Sequence, residues 1–321
     1  MPKSQKLAAL TAKLNQIKAE PTSELGLATL QEAIASRHSV AIAQAADLVA
    51  KFEISALVPP LTERFHWLMA KAADRDPGCR AKAAIADCLY RLASQNETVF
   101  LSGVRHVQQE PVWGGKVDTA PKLRGLCALG LVRLNYVDVM IELADLLADA
   151  ESEARIGAAR AIAYSGQAAG IGLLRLRIKV GDTPTVLGEC VAALLQLSLP
   201  YGLPLAAACL EAGRRESDPR EAIETAEVVA LVLGESRLPE ALPLLQDWWQ
   251  HTTHAELRQT GLLAIAMLRR DAAIQWLLQL LTDAPPRDAA GALEALGLYQ
   301  NDSTLWSQVT AILNQRQDLA P

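Results

Sequence analysis

Residues 119–134 read TAPKLRGLCALGLVRL, and residues 149–166 read DAESEARIGAARAIAYSG. In the first stretch Leu123, Leu126, Cys127, Gly130, Leu131 and Leu134 fall at i, i+3, i+4, i+7, i+8 and i+11. That spacing lays one apolar stripe along a helix of 3.6 residues per turn. Both stretches open on a polar turn, reach an Arg (Arg124, Arg155), and place a small residue three positions later (Cys127, Ala158). A small residue on the buried stripe lets a neighbouring helix approach closely, because interaxial distance follows the side chains at the contact.

The same form recurs along the chain. Aligned on Arg80, Arg124, Arg155, Leu187, Ile223, Arg258 and Ala289, the copies are spaced 44, 31, 32, 36, 35 and 31 residues apart. A weaker copy around His38–Phe52 precedes them. The small positions are Ala83, Cys127, Ala158, Cys190, Ala226, Gly261 and Ala292. Between copies lies a second apolar segment, for example Tyr136–Leu147, Ala168–Val180 and Leu203–Ala212, long enough for about three helical turns. Pro59–Pro60, Pro204, Pro219 and Pro285–Pro286 fit helix starts or turns. Gly166, Gly181, Gly202, Gly234 and Gly297 fit helix ends, where a positive φ is needed. One helical hairpin cannot bury both of its faces, but stacked hairpins share a continuous core. The pattern predicts an all-α fold: a right-handed α-solenoid of about eight stacked hairpins, read as one elongated domain over 1–321. Residues 1–35 are expected to cap its start, with Lys3, Lys6, Lys13 and Lys18 on the polar outer face. Residues 301–321 are expected to cap its end.

Composition agrees. Half of the 321 residues are hydrophobic but only 4% are aromatic, and Ala and Leu favour helices where aromatic and β-branched residues favour strands. The net charge of −5 disfavours a nucleic-acid partner, which needs a basic face, without excluding a local patch. Cys79, Cys88, Cys127, Cys190 and Cys209 are odd in number, scattered and free of any C-x-x-C. They read as small buried hydrophobes in a reducing, cytoplasmic setting. No stretch reaches the roughly 20 apolar residues of a membrane span, and residues 1–20 lack a signal-peptide core.

These residues resemble the HEAT-like repeats of the armadillo-type superfamily over roughly 35–300. The short unit, with its Asp, apolar and R-x-x-A run, is similar to the compact class that includes phycobilisome-lyase-type repeats. The resemblance implies that Asp76/Arg80, Asp118/Arg124 and Asp149/Arg155 form scaffold pairs between adjacent units. It also implies a chaperone-like bilin-lyase role, although no residue here singles out a tetrapyrrole pocket. Copies four, five and seven lack the Arg, which interrupts any ladder.

The spacing of 44 marks an irregular insertion at 93–121, ASQNETVFLSGVRHVQQEPVWGGKVDTAP. Val99–Val107 fits a short helix, and Gln108–Thr119 is too long for an ordinary interhelical turn. The segment either shapes a binding surface or is an inserted loop with Trp113 plugging a gap between units. The candidate contacts are Arg105, His106 and Trp113, and Glu110 stands at i+4 from His106, where the two could share a helical face. Arg175, Arg177 and Lys179, with Arg155 and Arg160, form the best candidate anion patch. Of Trp248 and Trp249, one is expected in the core and one partly exposed, since neighbours on a helix point about 100° apart.

His251 and His254 lack the i, i+4 spacing and third ligand of a helical metal site. There is no G-x-S-x-G, Walker loop or G-x-G-x-x-G. No catalytic residue, metal or cofactor is therefore expected. The sequence favours a non-catalytic scaffold that binds another protein or peptide along a concave face. A bilin-lyase-type accessory and a nucleic-acid-binding HEAT module are the alternatives.

Overall fold

A Cβ built on Gly157 would fall 2.6 Å from the Cα of Gly125, so the helices carrying these residues meet backbone to backbone. The structure is a computed structural model that describes residues 3–215, 217–316 and 318. Met1, Pro2 and the Lys3 side chain of the expected N-terminal cap lie outside that description. So do 317 and 319–321 of the expected C-terminal cap.

The chain forms two compact units, Met1–Gln167 and Ala168–Pro321. The first contains α1 (Lys3–Gln16), α2 (Glu24–Ala35), α3 (Ser39–Lys51), α4 (Val58–Met69), the short α5 (Ala72–Arg75), α6 (Arg80–Arg91) and α7 (Glu97–Val104). A hairpin of β1 (Gln109–Val112) and β2 (Gly115–Asp118) follows, then α8 (Pro121–Arg133), α9 (Val139–Leu147) and α10 (Ser152–Ser165). Helices α3, α6, α8 and α10 stack in chain order, with α4, α7 and α9 packed against that row. Phe65 and Phe100 fill the space between the layers. Burying a side chain of this kind contributes about 1.5–3 kcal/mol.

The second unit holds α11 (Ala169–Val180), α12 (Pro184–Leu197), α13 (Leu199–Ala212), α14 (Arg220–Ser236), α15 (Ala241–His251), α16 (Ala255–Met267), α17 (Asp271–Asp283), α18 (Pro286–Leu296) and α19 (Ser303–Leu313). Here α12, α14, α16 and α18 make the row. The all-α, stacked-hairpin expectation is met, and each residue placed three positions after an anchor is buried.

Three local readings change. Gly202 and Gly234 lie inside helices, not at their ends. A Cβ on Gly234 would sit 2.5 Å from the Ala264 carbonyl oxygen, so its smallness serves helix contact. Pro204 lies inside α13. Trp248 and Trp249 are both buried. Trp248 donates to the Leu210 carbonyl at 2.9 Å, while Trp249 meets the Trp276 ring edge-on and lies under the Arg258 guanidinium. Neither is available as an exposed contact.

Candidate functional site

The insertion is a short helix followed by an antiparallel hairpin. Gln109 pairs with Asp118, Glu110 with Val117, Pro111 with Lys116 and Val112 with Gly115. Trp113 and Gly114 close it, with Gly114 at φ +89°, where a glycine turns at no steric cost. The hairpin is too short to stand alone in water, and its base shows what holds it.

Arg124, on α8, is the central clamp. It is almost wholly buried. One guanidinium nitrogen donates to the His106 carbonyl at 2.9 Å and to Asp118 at 2.6 Å; another donates to Asp149 at 2.9 Å. One side chain thus ties the entry of the insertion, its exit and the turn before α10. Asp118 also accepts from the Gln108 and Ala120 N–H groups at 2.9 and 3.0 Å. Burial works against the Asp118 charge, but these backbone bonds and Arg124 outweigh it and hold the carboxyl below its ordinary value.

Glu110 makes the second attachment. Its Oε1 accepts from the Gly78 N–H at 2.7 Å, the Thr119 hydroxyl at 2.7 Å and the Gln108 amide at 2.5 Å. Burial opposes its charge as well, and the three donors bring its carboxyl below the usual value. Gln108 reaches on to the Asp76 carbonyl at 2.9 Å. Beneath lies the pair Asp76–Lys82, 3.3 Å apart with both side chains at 0% exposure. Asp76 further accepts from the Ala81 and Lys82 N–H groups at 3.0 and 2.9 Å, closing the first turn of α6.

The expected residues fall as follows. His106 and Glu110 do not share a helical face, because α7 ends at Val104 and Glu110 is on β1. They communicate through Gln108, whose Oε1 lies 3.2 Å from His106 Nε2. Burial first, with Lys82 and Arg124 adding to it, keeps the imidazole below its ordinary value. Arg105 forms a two-pronged ion pair with Glu142 of α9, its Nε at 2.9 Å. Trp113 plugs no gap: it stands at the tip with 104% exposure, flanked by exposed Val112 and Val117. Arg155 is buried and donates to the Asp149 and Ala150 carbonyls at 2.7 and 2.8 Å. In the second unit Arg177 is held by Asp182 at 2.7 Å, and Arg175 lies over the Tyr201 ring. Arg155 and Arg177 of the expected anion patch are therefore engaged internally, whereas Lys179 is exposed.

Of the expected scaffold pairs, Asp118–Arg124 forms, and Arg124 extends it to Asp149 in the next turn. Arg155 reaches Asp149 through the backbone carbonyl. Asp76 takes Lys82, not the exposed Arg80. Sequence reading missed Lys82 and Glu142. The separation of six residues in Asp76/Lys82, Asp118/Arg124 and Asp149/Arg155 carried the signal for Lys82.

A close row of helices, each backed by a partner, defines an α-helical repeat protein. Within this row, residues 221–297 match the family model described as HEAT repeats. A solved structure of human deoxyhypusine hydroxylase in complex with glycerol is similar at 15% identity, with a TM-score of 0.31. The similarity covers 84% of this chain and 91% of that one. No curated protein matches the sequence. Among the described residues, no helix is long and apolar enough to cross a membrane.

Proposed function

We propose that the protein is a non-catalytic scaffold that binds a protein partner, with the 109–118 hairpin as a principal contact. HEAT repeats generally serve protein–protein interaction, which supplies the class. The observation that carries the reading is Trp113, a fully exposed tryptophan on a hairpin whose base is buried and polar. Exposing that ring costs apolar hydration, and burial in a partner recovers it; tryptophan is accordingly enriched at binding hot spots. A clamped base lowers the entropy lost on binding, since the hairpin is already in one conformation.

The test is a pull-down from native extract with the wild type, Trp113→Ala and an Arg175/Arg177 double charge reversal. The wild type and the double variant are expected to retain the same partner. Trp113→Ala should lose it, with an affinity drop of about 2 kcal/mol or more and unchanged thermal unfolding. Equal recovery with Trp113→Ala would remove the hairpin from the interface.

A further inference from the structure

The first unit carries a second surface that shares no residue with the hairpin. A cleft of roughly 1110 Å³ opens beside α1, α2 and α4. Five cationic side chains line it, Lys6, Lys13, Arg37, Lys71 and Arg75, against two carboxylates, Glu32 and Asp74. Glu32 is already engaged by Lys13 at 2.8 Å. Among the described residues, Lys6, Arg37, Lys71 and Arg75 make no ion pair. In a chain of net charge −5, this is a concentrated reversal of sign.

The wall of the cleft is built around Trp67. The guanidinium of Arg75 lies 4.2 Å from the centre of its ring, and that of Arg64 lies 4.7 Å from the same centre. Each is fixed at a backbone carbonyl as well, Arg75 on Trp67 and Arg64 on Ala35. Two like charges are thus held beside one ring without a carboxylate bonded to either. Burial, then the charge of Arg75, makes the protonated form of Arg64 harder to keep, with Glu63 opposing only in part. Cation–π contacts of this kind are attractive and help fix the guanidiniums in place. An arriving anion relieves the repulsion and meets donors whose side-chain entropy is already spent.

We propose that this cleft binds a carboxylate-rich peptide segment of a partner protein. A peptide fits better than a nucleic acid. Polyanion affinity grows with the number of phosphates neutralised along an extended basic track, whereas these cations are confined to one cleft on an acidic protein. Clustered arginines recognising acidic motifs are a recurrent mode of peptide capture.

The test measures fluorescence anisotropy of a short labelled Asp/Glu peptide with the full chain at low ionic strength. Its Asn/Gln counterpart and a single-stranded oligonucleotide serve as probes of charge and of phosphate. Binding of the acidic peptide alone is expected, weakening as salt rises. Arg37→Glu with Lys71→Glu, both at exposed positions, should weaken it by about tenfold or more. Asp74→Lys should tighten it, and Trp113→Ala should leave it unchanged, which separates this site from the hairpin. The proposal is overturned by absence of peptide binding, by equal affinity in the double variant, or by tighter binding of the oligonucleotide than of the peptide.

Discussion

Asp76 and Lys82 are shielded from water and bonded to little except each other and nearby backbone. Desolvating two charges costs several kcal/mol each, so such a pair specifies geometry more than it stabilises. The two partners are not equivalent. Asp76 also holds two N–H groups at the start of α6, while the Lys82 amine reaches only Asp76 and, at 3.4 Å, the Ala72 carbonyl. Asp76→Ala orphans a buried cation and two amides together, and is expected to cost about 3–5 kcal/mol in urea unfolding. Lys82→Met keeps the volume and leaves Asp76 two donors, so its cost should be smaller; the reverse order would show that the amine does more than the carboxylate. The thiols near this site are inert by the same physics. Burial raises Cys79 and Cys88 to about 12 each and Cys127 further still. The nucleophile is the thiolate, so these three should resist alkylation in the native protein at mildly alkaline pH and react fully once it is unfolded. Modification of any of them in the native state would contradict that burial. Their role as small hydrophobes was legible from scatter and count. The choice of Lys82 over Arg80 was overlooked because the repeated Arg draws the eye, although the six-residue separation from Asp76, shared with Asp118/Arg124 and Asp149/Arg155, held the signal.

Elements meet through glycine where the row is tightest. Gly157 would place a Cβ at 2.6 Å from a backbone atom of α8, whereas Gly125 would place one at 3.2 Å. Replacing a helical glycine with alanine gains up to about 1 kcal/mol of helix propensity. Overpacking a contact that cannot yield costs about 1–3 kcal/mol. At Gly157 the obstacle is backbone, so the second term wins and Gly157→Ala should lower the unfolding free energy by about 1–2 kcal/mol. At Gly125 the terms nearly cancel and a change under about 0.5 kcal/mol is expected. Chemical denaturation of both variants checks the pair, and equal losses would mean that α8 and α10 separate readily. The helical rows were legible because apolar period and small positions repeat in each copy. The hairpin was not, because its strands have four residues each, include Pro111, and point Val112 and Val117 outward. Its readable signal was V-W-G-G-K-V, two β-favouring residues around a two-residue turn, whereas the periodicity of the neighbours had suggested a helix and a loop. Trp113 stands out in the irregular segment as a large aromatic, but aromatic size argues for burial by default and does not reveal a tip.

In the chain as a whole, the buried polar base of the hairpin couples stability to pH. His106 is held below its ordinary 6.5, chiefly by burial. Glu110 and Asp118 are held below their ordinary 4.5 and 3.8, because donors outweigh the burial that opposes their charge. All three have folded values under their unfolded ones, so the unfolded chain binds protons first as pH falls. Their contribution is complete above the unfolded value and is lost on passing down to the folded one. His106 therefore acts first, below about pH 6.5, and the two carboxylates act in stronger acid. Asp47 works in the opposite sense, since burial and Asp87 raise it, so a raw pH profile mixes both signs and a difference must be read. Urea unfolding of the wild type and of His106→Gln, followed by circular dichroism from neutral pH down to about pH 5, isolates the first step. The wild type should lose stability relative to the variant across that interval, because only its unfolded state gains an imidazolium there. Below it the two curves should fall in parallel as Glu110 and Asp118 take up protons. A constant difference throughout the first interval would mean that His106 is protonated as readily in the folded protein as out of it, and that the base of the hairpin is open to water.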